Sequence, residues 1–251
     1  MRRYTDYDPF AWLYHEHWGR EYHEQAFAVL QRLVLDRVPR RAAILDLCCG
    51  DGRLTSALAQ HGFRMTGIDG SERMLTFARK RAPDIDFIAG DARDFRTRKR
   101  FDAVLSTFDA LNHIMSAEEL GKVCACAYRA LKPGGYFAFD LNREEAYTEL
   151  WSNISSCIEQ DNVSIARGAY DRKSGIAICD VTLFRLIRGN WQRSDFCLSQ
   201  RCHSEQDVFD ALSNAQFRRI EARDAAQDLG MVGEIGRGRT FYVAQKAIQG
   251  S

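Results

Sequence analysis

From residue 41 onwards, short apolar runs alternate with segments whose apolar residues recur at helical spacing. We expect strands at 42–47, 64–69, 85–89, 101–107, 136–140, 219–223 and 240–245. Helices are predicted between them, such as one at 116–131 that opens with the capping-box spacing of Ser116 and Glu119. Strands that alternate with helices predict an α/β fold, here a seven-stranded, mostly parallel sheet with helices on both faces.

A second pattern interrupts this alternation. Residues 163–170, 176–186 and 191–202 predict three consecutive strands joined by glycine-containing turns. Consecutive strands without intervening helices pair antiparallel, so we expect a small inserted antiparallel sheet.

The N-terminal part of the chain predicts helices. Asp8-Pro9 has the pattern of an N-cap followed by proline at the first helical position, with a break near Gly19. Residues 20–36 predict an amphipathic helix. We therefore divide the chain into an N-terminal helical region, an α/β core and an inserted β region. Their expected boundaries are 1–40, then 41–145 with 204–251, and 146–203.

Composition narrows the functional classes. The formal net charge is only +1, which argues against a nucleic-acid partner held by phosphate contacts. The eight cysteines include no Cys-x-x-Cys pair, so we expect buried thiols in a reducing compartment and no metal site. No long apolar stretch indicates a signal peptide or a membrane segment. The expected location is the cytoplasm, with no membrane partner.

The candidate chemistry begins at the stretch LDLCCGDG, where a strand enters a loop that contains Gly50 and Gly52. Glycines allow the backbone to approach a ligand closely. Asp69 ends the next strand, where a carboxylate can accept hydrogen bonds from ribose hydroxyls. These features alone fit a dinucleotide or another nucleoside. Thr55 follows in place of a third glycine, which favours an amino-acid-like tail over a pyrophosphate.

Further stretches carry a resemblance to a known family. They are TGIDGSERML, IAGDARDF, FDAVLSTFDALNHI and LKPGGYFAFDLN. With LDLCCGDG, and over roughly residues 40–247, the sequence resembles the class I, Rossmann-like S-adenosylmethionine-dependent methyltransferases. The resemblance implies that S-adenosylmethionine is the cofactor and that a methyl group is transferred by in-line displacement.

The same resemblance implies a set of cofactor-binding residues. Asp46, Cys48, Gly50 and Gly52 would line the methionine moiety, Asp69 and Gly70 the ribose, Met74, Asp91 and Ala92 the adenine, and Thr107 and Phe108 the sulfonium. The family usually has glycine where Cys48 stands, and we expect binding to survive this change. Tyr14 and Trp18, one helical turn apart, are expected to face the ligand, since aromatic faces attract a sulfonium cation.

A looser resemblance concerns the methyl acceptor. The N-terminal aromatic stretch and the inserted strands resemble the lids of small-molecule N-methyltransferases of the amino-sugar or glycine and sarcosine type. His113 in FDALNH is then the catalytic candidate, because an ordinary imidazole pKa lies near neutrality. The alternative for His113 is a backbone-bonded histidine beside a helix. His203 and Tyr170 are lesser candidates, with packing roles favoured for both.

Other functions stay open at this point. They are RNA or protein methylation, a non-catalytic S-adenosylmethionine-binding regulatory module and, least favoured, a dinucleotide oxidoreductase. The sequence leaves open whether nitrogen or oxygen is methylated. The expected partner is a small-molecule acceptor, and the inserted sheet offers edges that could form a homo-oligomer.

Overall fold

The computed structural model describes residues 7–18 and 20–248. Its strands are β1 (Ala43–Leu47), β2 (Arg64–Asp69), β3 (Asp86–Ala89), β4 (Phe101–Ser106), β5 (Leu131–Asn142), β6 (Ile154–Ile158), β7 (Asn162–Asp171), β8 (Ile176–Ile187), β9 (Asn190–Arg201), β10 (Phe217–Asp224) and β11 (Arg239–Lys246).

The helices are α1 (Ala11–Leu13), α2 (Arg20–Leu33), α3 (Arg53–Gln60), α4 (Glu72–Arg81), α5 (Ala117–Ala130), α6 (Glu144–Ala146) and α7 (Glu205–Asn214). A π-helical turn at Tyr14–Trp18 continues α1, and a second at Tyr147–Trp151 continues α6. In the described ranges, no helix has the length and apolarity of a membrane span.

Seven strands form one sheet in the order β10-β11-β5-β4-β1-β2-β3. The neighbours from β5 to β3 are parallel, whereas β11 pairs antiparallel with both β5 and β10. The α/β prediction is therefore confirmed. The strand order reverses at β1 and β4, and ligands bind beyond the carboxyl ends of the strands at such a reversal.

Helices cover both faces of this sheet. On one face, α2 buries Tyr22, Ala26, Val29, Leu30 and Leu33, which join a cluster with sheet residues of β1, β4 and β11. On the other face, α5 and α7 contribute Leu120, Val123, Val208 and Leu212 to a second cluster. The amphipathic pattern of α2 thus places the N-terminal region on the core.

The inserted sheet has four antiparallel strands in the order β6-β7-β8-β9, and its strands β7, β8 and β9 confirm the three predicted from the sequence. The edge strand β6 was not predicted. One face carries Val181, Leu183 and Leu198, which pack with Phe10 and Leu13. This contact brings the inserted sheet and the segment 7–18 together over the carboxyl end of the large sheet.

The prediction of a helix start at Asp8-Pro9 is wrong. The helix begins at Ala11, and its N-cap residue, Phe10, has no side-chain cap. The Asp8 carboxylate instead accepts a hydrogen bond from the Ser71 hydroxyl at 2.6 Å, at the start of α4. A carboxylate near a helix N-terminus is favourable, so Asp8 ties the N-terminal segment to α4. The predicted break at Gly19 lies outside the described residues.

Candidate active site

A cavity that is partly open to solvent lies at the carboxyl ends of β1 to β4. The segment 7–18 and strand β9 form its other walls. The predicted site residues that line it are Tyr14, Trp18, Cys48, Gly50, Asp69, Gly70, Met74, Asp91, Ala92, Thr107, Phe108 and His113. The structure therefore brings most of the predicted set to one space.

The loop after β1 is held by the carboxylate that ends β2. Oδ2 of Asp69 accepts from the Gly50 amide and Oδ1 from the Ser71 amide, both at 2.8 Å. Gly50 has a φ of +53°, and Cys48 has a φ of +62°. The left-handed region favours glycine, which explains physically why glycine is usual at the position of Cys48.

Asp46 and Gly52 do not line the cavity. Asp46 is buried and accepts a hydrogen bond from the Thr55 hydroxyl at 2.5 Å, and burial raises the pKa of this carboxyl to about 7. Gly52 is the N-cap residue of α3, with a φ of +74°, and a Cβ there would lie 2.8 Å from the Cβ of Ala78 on α4. Both residues therefore support the loop after β1 from the side that faces away from the cavity. Spacing along the sequence does not distinguish such a supporting residue from one that lines the cavity.

The far end of the cavity carries Asp91 after β3. The Arg93 side chain donates to this carboxylate twice, from Nε to Oδ1 at 2.9 Å and from Nη2 to Oδ2 at 2.6 Å. The backbone amide of Arg93 also donates to Oδ1. These hydrogen bonds lower the pKa of Asp91, so it is an anion at neutral pH. Asp91 thus stays an acceptor whose orientation is fixed.

Beyond β4, Phe108 and Asp109 adopt φ angles of +62° and +49°. Their amides donate to the buried carboxylate of Asp140, at 2.7 and 3.0 Å. Asp140 also accepts from the Tyr22 hydroxyl and from Arg239, which in turn pairs with Asp109 at 2.8 Å. A buried network therefore holds this unusual backbone turn, as expected where strain persists at a functional site.

His113 lies at the inner end of the cavity. Its Nδ1 is 2.8 Å from the Ser199 carbonyl, which only accepts, so Nδ1 carries the proton. Its Nε2 accepts from the Tyr7 hydroxyl and from Nε2 of Gln200 at 2.9 Å. Burial lowers the pKa of His113 to about 4. The sequence-based premise of an ordinary imidazole pKa is therefore wrong, and His113 is a neutral hydrogen-bond acceptor.

Aromatic rings form the wall supplied by the N-terminal segment. The Phe10 ring centroid lies 4.9 Å from that of Trp18 and 5.8 Å from that of Tyr14. Tyr14 in turn lies 5.9 Å from Phe108. The π-helical turn that carries Tyr14 and Trp18 is a conformation that is frequent at functional sites.

The charges of the cavity favour a cationic ligand. Among the described residues that line it, three are carboxylates, Asp69, Asp91 and Asp109, and one is a guanidinium, Arg93. Together with the aromatic wall, this acidic excess fits a ligand with a positively charged sulfur.

Sequence reasoning missed several residues of the site. Asp109 lies in the stretch FDAVLSTFDALNHI, but the sequence predicted no function for it. Gln200 reaches the site from β9 of the inserted sheet. Gln200 donates to Asp109 at 2.6 Å and accepts from Tyr147 at 2.8 Å. His203 donates to the Ile114 carbonyl, and Tyr170 stacks on Tyr147; neither lines the cavity.

The chain is similar in sequence to known methyltransferases. Residues 44–135 match the model of a family described as methyltransferase domain. The chain is 32% identical over 160 residues to dTDP-3-amino-3,4,6-trideoxy-alpha-D-glucopyranose N,N-dimethyltransferase of Streptomyces venezuelae, covering 63% of this chain and 67% of that protein.

Two solved structures share the fold. One is an S-adenosylmethionine-dependent methyltransferase from Clostridium acetobutylicum, with a TM-score of 0.79, 20% identity and coverage of 96% of this chain and 99% of that one. The other is S-adenosylmethionine-bound CalS10, an amino pentose methyltransferase from Micromonospora echinaspora, with a TM-score of 0.72, 20% identity and coverage of 98% and 99%.

The fold is a Rossmann-like α/β fold with a cavity at the carboxyl ends of its parallel strands. With the family match, the chain belongs to the S-adenosylmethionine-dependent methyltransferases. Its cofactor is S-adenosylmethionine and its methyl acceptor is a small molecule.

Proposed function

We propose that this enzyme methylates the amino group of a small, sugar-like acceptor. The observation that carries the proposal is the pair of acceptors that face the cavity: the phenol oxygen of Tyr7, whose proton is donated to the neutral His113, and the carboxylate of Asp109. An amine brings N–H donors that such acceptors can orient. The dimethyltransferase from Streptomyces venezuelae, which acts on an amino sugar by its name, supports the same class.

The cavity suggests how the cofactor would be held. Asp69 would accept hydrogen bonds from the ribose hydroxyls. Asp91 and the Ala92 amide would form hydrogen bonds with the edge of the adenine ring, which would lie beside Met74. Cys48, Gly50 and Gly70 would leave room for the backbone to approach, while Thr107 and Phe108 would flank the sulfur. When bound, S-adenosylmethionine supplies a methyl group already activated by a positively charged sulfur. The protein's task is therefore alignment and exclusion of water.

Tyr7 and His113 would place the acceptor nitrogen. Burial raises the pKa of Tyr7, so its phenol keeps its proton at neutral pH. That proton is donated to His113, which leaves the phenol oxygen to accept a hydrogen bond from the amine. His113, with a pKa of about 4, is too weak a base to hold a proton for long near pH 7. We therefore assign His113 to orientation of the acceptor through Tyr7, and leave the proton of the methylated amine to pass to water.

Asp46 and Gly52 would act on the cofactor only through the loop. Asp46 anchors the start of α3 through Thr55, and Gly52 allows α3 to approach α4 closely. These contacts set the position of Gly50, whose amide Asp69 binds.

The segment 7–18 and the inserted sheet would act together as a lid, in line with the predicted regions 1–40 and 146–203. Both contribute to the cavity wall, through Tyr14 and Trp18 on one side and Leu198 and Gln200 on the other. A lid over the reacting atoms excludes water, which strengthens the polar contacts inside.

Two further expectations accompany this proposal. The solvent face of the inserted sheet exposes Ile154, Ile158, Ile165 and Ile178, and we propose it as the contact between subunits of a homo-oligomer. A sedimentation measurement that gives only monomers would contradict this. The cytoplasmic location stays a prediction, supported by eight cysteines that the structure leaves as free thiols.

The function is tested by product analysis with the purified enzyme. A panel of nucleotide-linked amino sugars, glycine, sarcosine and a quinol is incubated with S-adenosylmethionine, and S-adenosylhomocysteine release and product mass are measured. The proposal expects mass increments of one or two methyl groups on an amino sugar. Turnover of the quinol alone, or of RNA or protein added in parallel, would refute the amine assignment.

A further inference from the structure

A second group of chemistry-bearing side chains lies outside the active-site cavity. His17 is in the π-helical turn after α1, whereas Cys157 and Glu159 are at the end of β6, about 140 residues later. One ligand atom from each lies within 4.8 Å of the other two. Because the residues come from two segments that are distant along the chain, no motif with metal-ligand spacing in the sequence predicts this group.

The imidazole of His17 is oriented for coordination. Asn162 directs its amide nitrogen to Asp161 at 2.9 Å, so its oxygen faces His17 and accepts from Nε2 at 3.0 Å. In the neutral ring, Nδ1 then carries the lone pair. A histidine ligand held through its other nitrogen is the usual arrangement around protein metals.

The Nδ1 lone pair points at a thiol. Sγ of Cys157 lies 3.8 Å from Nδ1 of His17. Two such ligands on one tetrahedral zinc ion, with bonds of about 2.0 and 2.3 Å, lie roughly 3.5 Å apart. The observed separation is therefore close to that of a coordinated pair, and a carboxylate oxygen of Glu159 is within reach of the same point.

The surroundings also favour a cation. The polar cavity beside this group is lined by Glu16, Glu159 and Asp161, with Arg185 as a counter-charge. The Arg185 guanidinium lies 3.9 Å above the Trp12 ring, which engages it on that side. Three carboxylates against one guanidinium leave a negative excess around the His17 and Cys157 atoms.

We propose that His17, Cys157 and Glu159 form a binding site for a zinc-like divalent cation, with a fourth position open to water. Imidazole, thiolate and carboxylate are all ligands that zinc accepts. Binding replaces the thiol proton of Cys157 by the metal and releases that proton to solvent. The site joins the turn that carries Tyr14 and Trp18 to the edge strand of the inserted sheet, and so would fasten the two walls of the cavity to each other.

The test is zinc binding by the chelator-stripped full-length enzyme, in competition with a chromophoric zinc indicator. Wild type should bind one equivalent. Cys157→Ser should lose the site, and His17→Ala should bind at least tenfold more weakly. Cys197→Ser is the matched control, since it removes an exposed thiol of the same sheet, and should bind as wild type does.

Two readouts keep the test decisive. Thermal unfolding of the metal-free variants shows that they are folded, and Cys157→Ser is nearly isosteric. Cobalt substituted for zinc should give the near-ultraviolet absorption of a thiolate ligand in wild type and in Cys197→Ser, but not in Cys157→Ser. Equal zinc affinity of wild type and Cys157→Ser, or loss of binding in Cys197→Ser, would overturn the proposal.

Discussion

The Tyr7 hydroxyl donates a hydrogen bond to Nε2 of His113, joining the N-terminal segment to the floor of the cavity across 106 positions of the chain. The two rings meet edge to face, with centroids 5.0 Å apart. Since Ser199 fixes the opposite nitrogen, this contact determines where the lone pair of His113 points. The segment 7–18 is thus part of the active site as well as its cover.

Replacing this hydroxyl tests the acceptor-positioning role. We expect Tyr7→Phe to lower kcat by about ten- to hundredfold, the loss typical of a misplaced reactant. The affinity for S-adenosylhomocysteine should stay within about twofold, because Asp69 and Asp91 are untouched. Tyr136→Phe, on β5 outside the cavity, is the control. Unchanged kcat in Tyr7→Phe would remove the role assigned to this hydrogen bond.

Trp18 is expected to contribute to cofactor affinity. A cation beside an aromatic face gains about 0.5–2 kcal/mol, so Trp18→Ala should weaken S-adenosylmethionine binding by roughly 2- to 30-fold. Calorimetry provides the measurement. Trp191→Ala removes a tryptophan that is 52% exposed, and should bind normally. Equal affinities of the two variants would exclude Trp18 from the cofactor wall.

Replacement by glycine should cost much less stability at Cys48 than at the neighbouring Cys49. Cys48 has a φ of +62°, where glycine relieves about 1–2 kcal/mol of strain and offsets the lost side chain. We expect Cys48→Gly to change the free energy of unfolding by less than about 1 kcal/mol. Cys49 is buried against Leu75 and Phe87, so Cys49→Gly should cost about 2 kcal/mol. Urea denaturation in which Cys48→Gly is the more damaging change would contradict the strain argument.

Asp46 should make stability fall as the pH rises. Its pKa is raised to about 7 in the folded protein, against about 4 in the unfolded chain. Between these values the folded state binds the extra proton, so wild type loses stability relative to Asp46→Asn as the pH rises from 4 to 7, by on the order of 3 kcal/mol.

Urea denaturation of both proteins at several pH values measures this difference. The buried histidines contribute with the opposite sign, but they are the same in both proteins and cancel. Asp86→Asn changes an exposed carboxylate and should follow wild type. Parallel pH profiles of wild type and Asp46→Asn would show that Asp46 has an ordinary pKa.

The sequence predicted the large sheet well because its strands are short apolar runs separated by strong helix signals. β2 was predicted with its observed bounds, and β1 and β3 within one residue. β6 was missed because Ile-Ser-Ser-Cys-Ile carries little strand signal by itself; it is defined by pairing with β7. Asp8 was misassigned because its cap partner, the α4 terminus, is distant in sequence.

The site was predictable where a residue stands at the end of a strand, as Asp69 and Asp91 do. Asp46 and Gly52 share the same motif but lie behind the loop, since contact with the cavity depends on which side of the strand and turn each residue occupies. Gln200 could not be found from sequence, because it reaches His113 only through packing of the inserted sheet on the core.

Calorimetric titration with S-adenosylhomocysteine is the most direct test of the cofactor site. We expect one molecule to bind per chain, Asp69→Asn to weaken binding by tenfold or more, and the exposed-carboxylate variant Asp86→Asn to bind as wild type. NAD should give no heat under the same conditions. Absence of S-adenosylhomocysteine binding by the wild-type protein, or full affinity in Asp69→Asn, would contradict the assignment of this cavity.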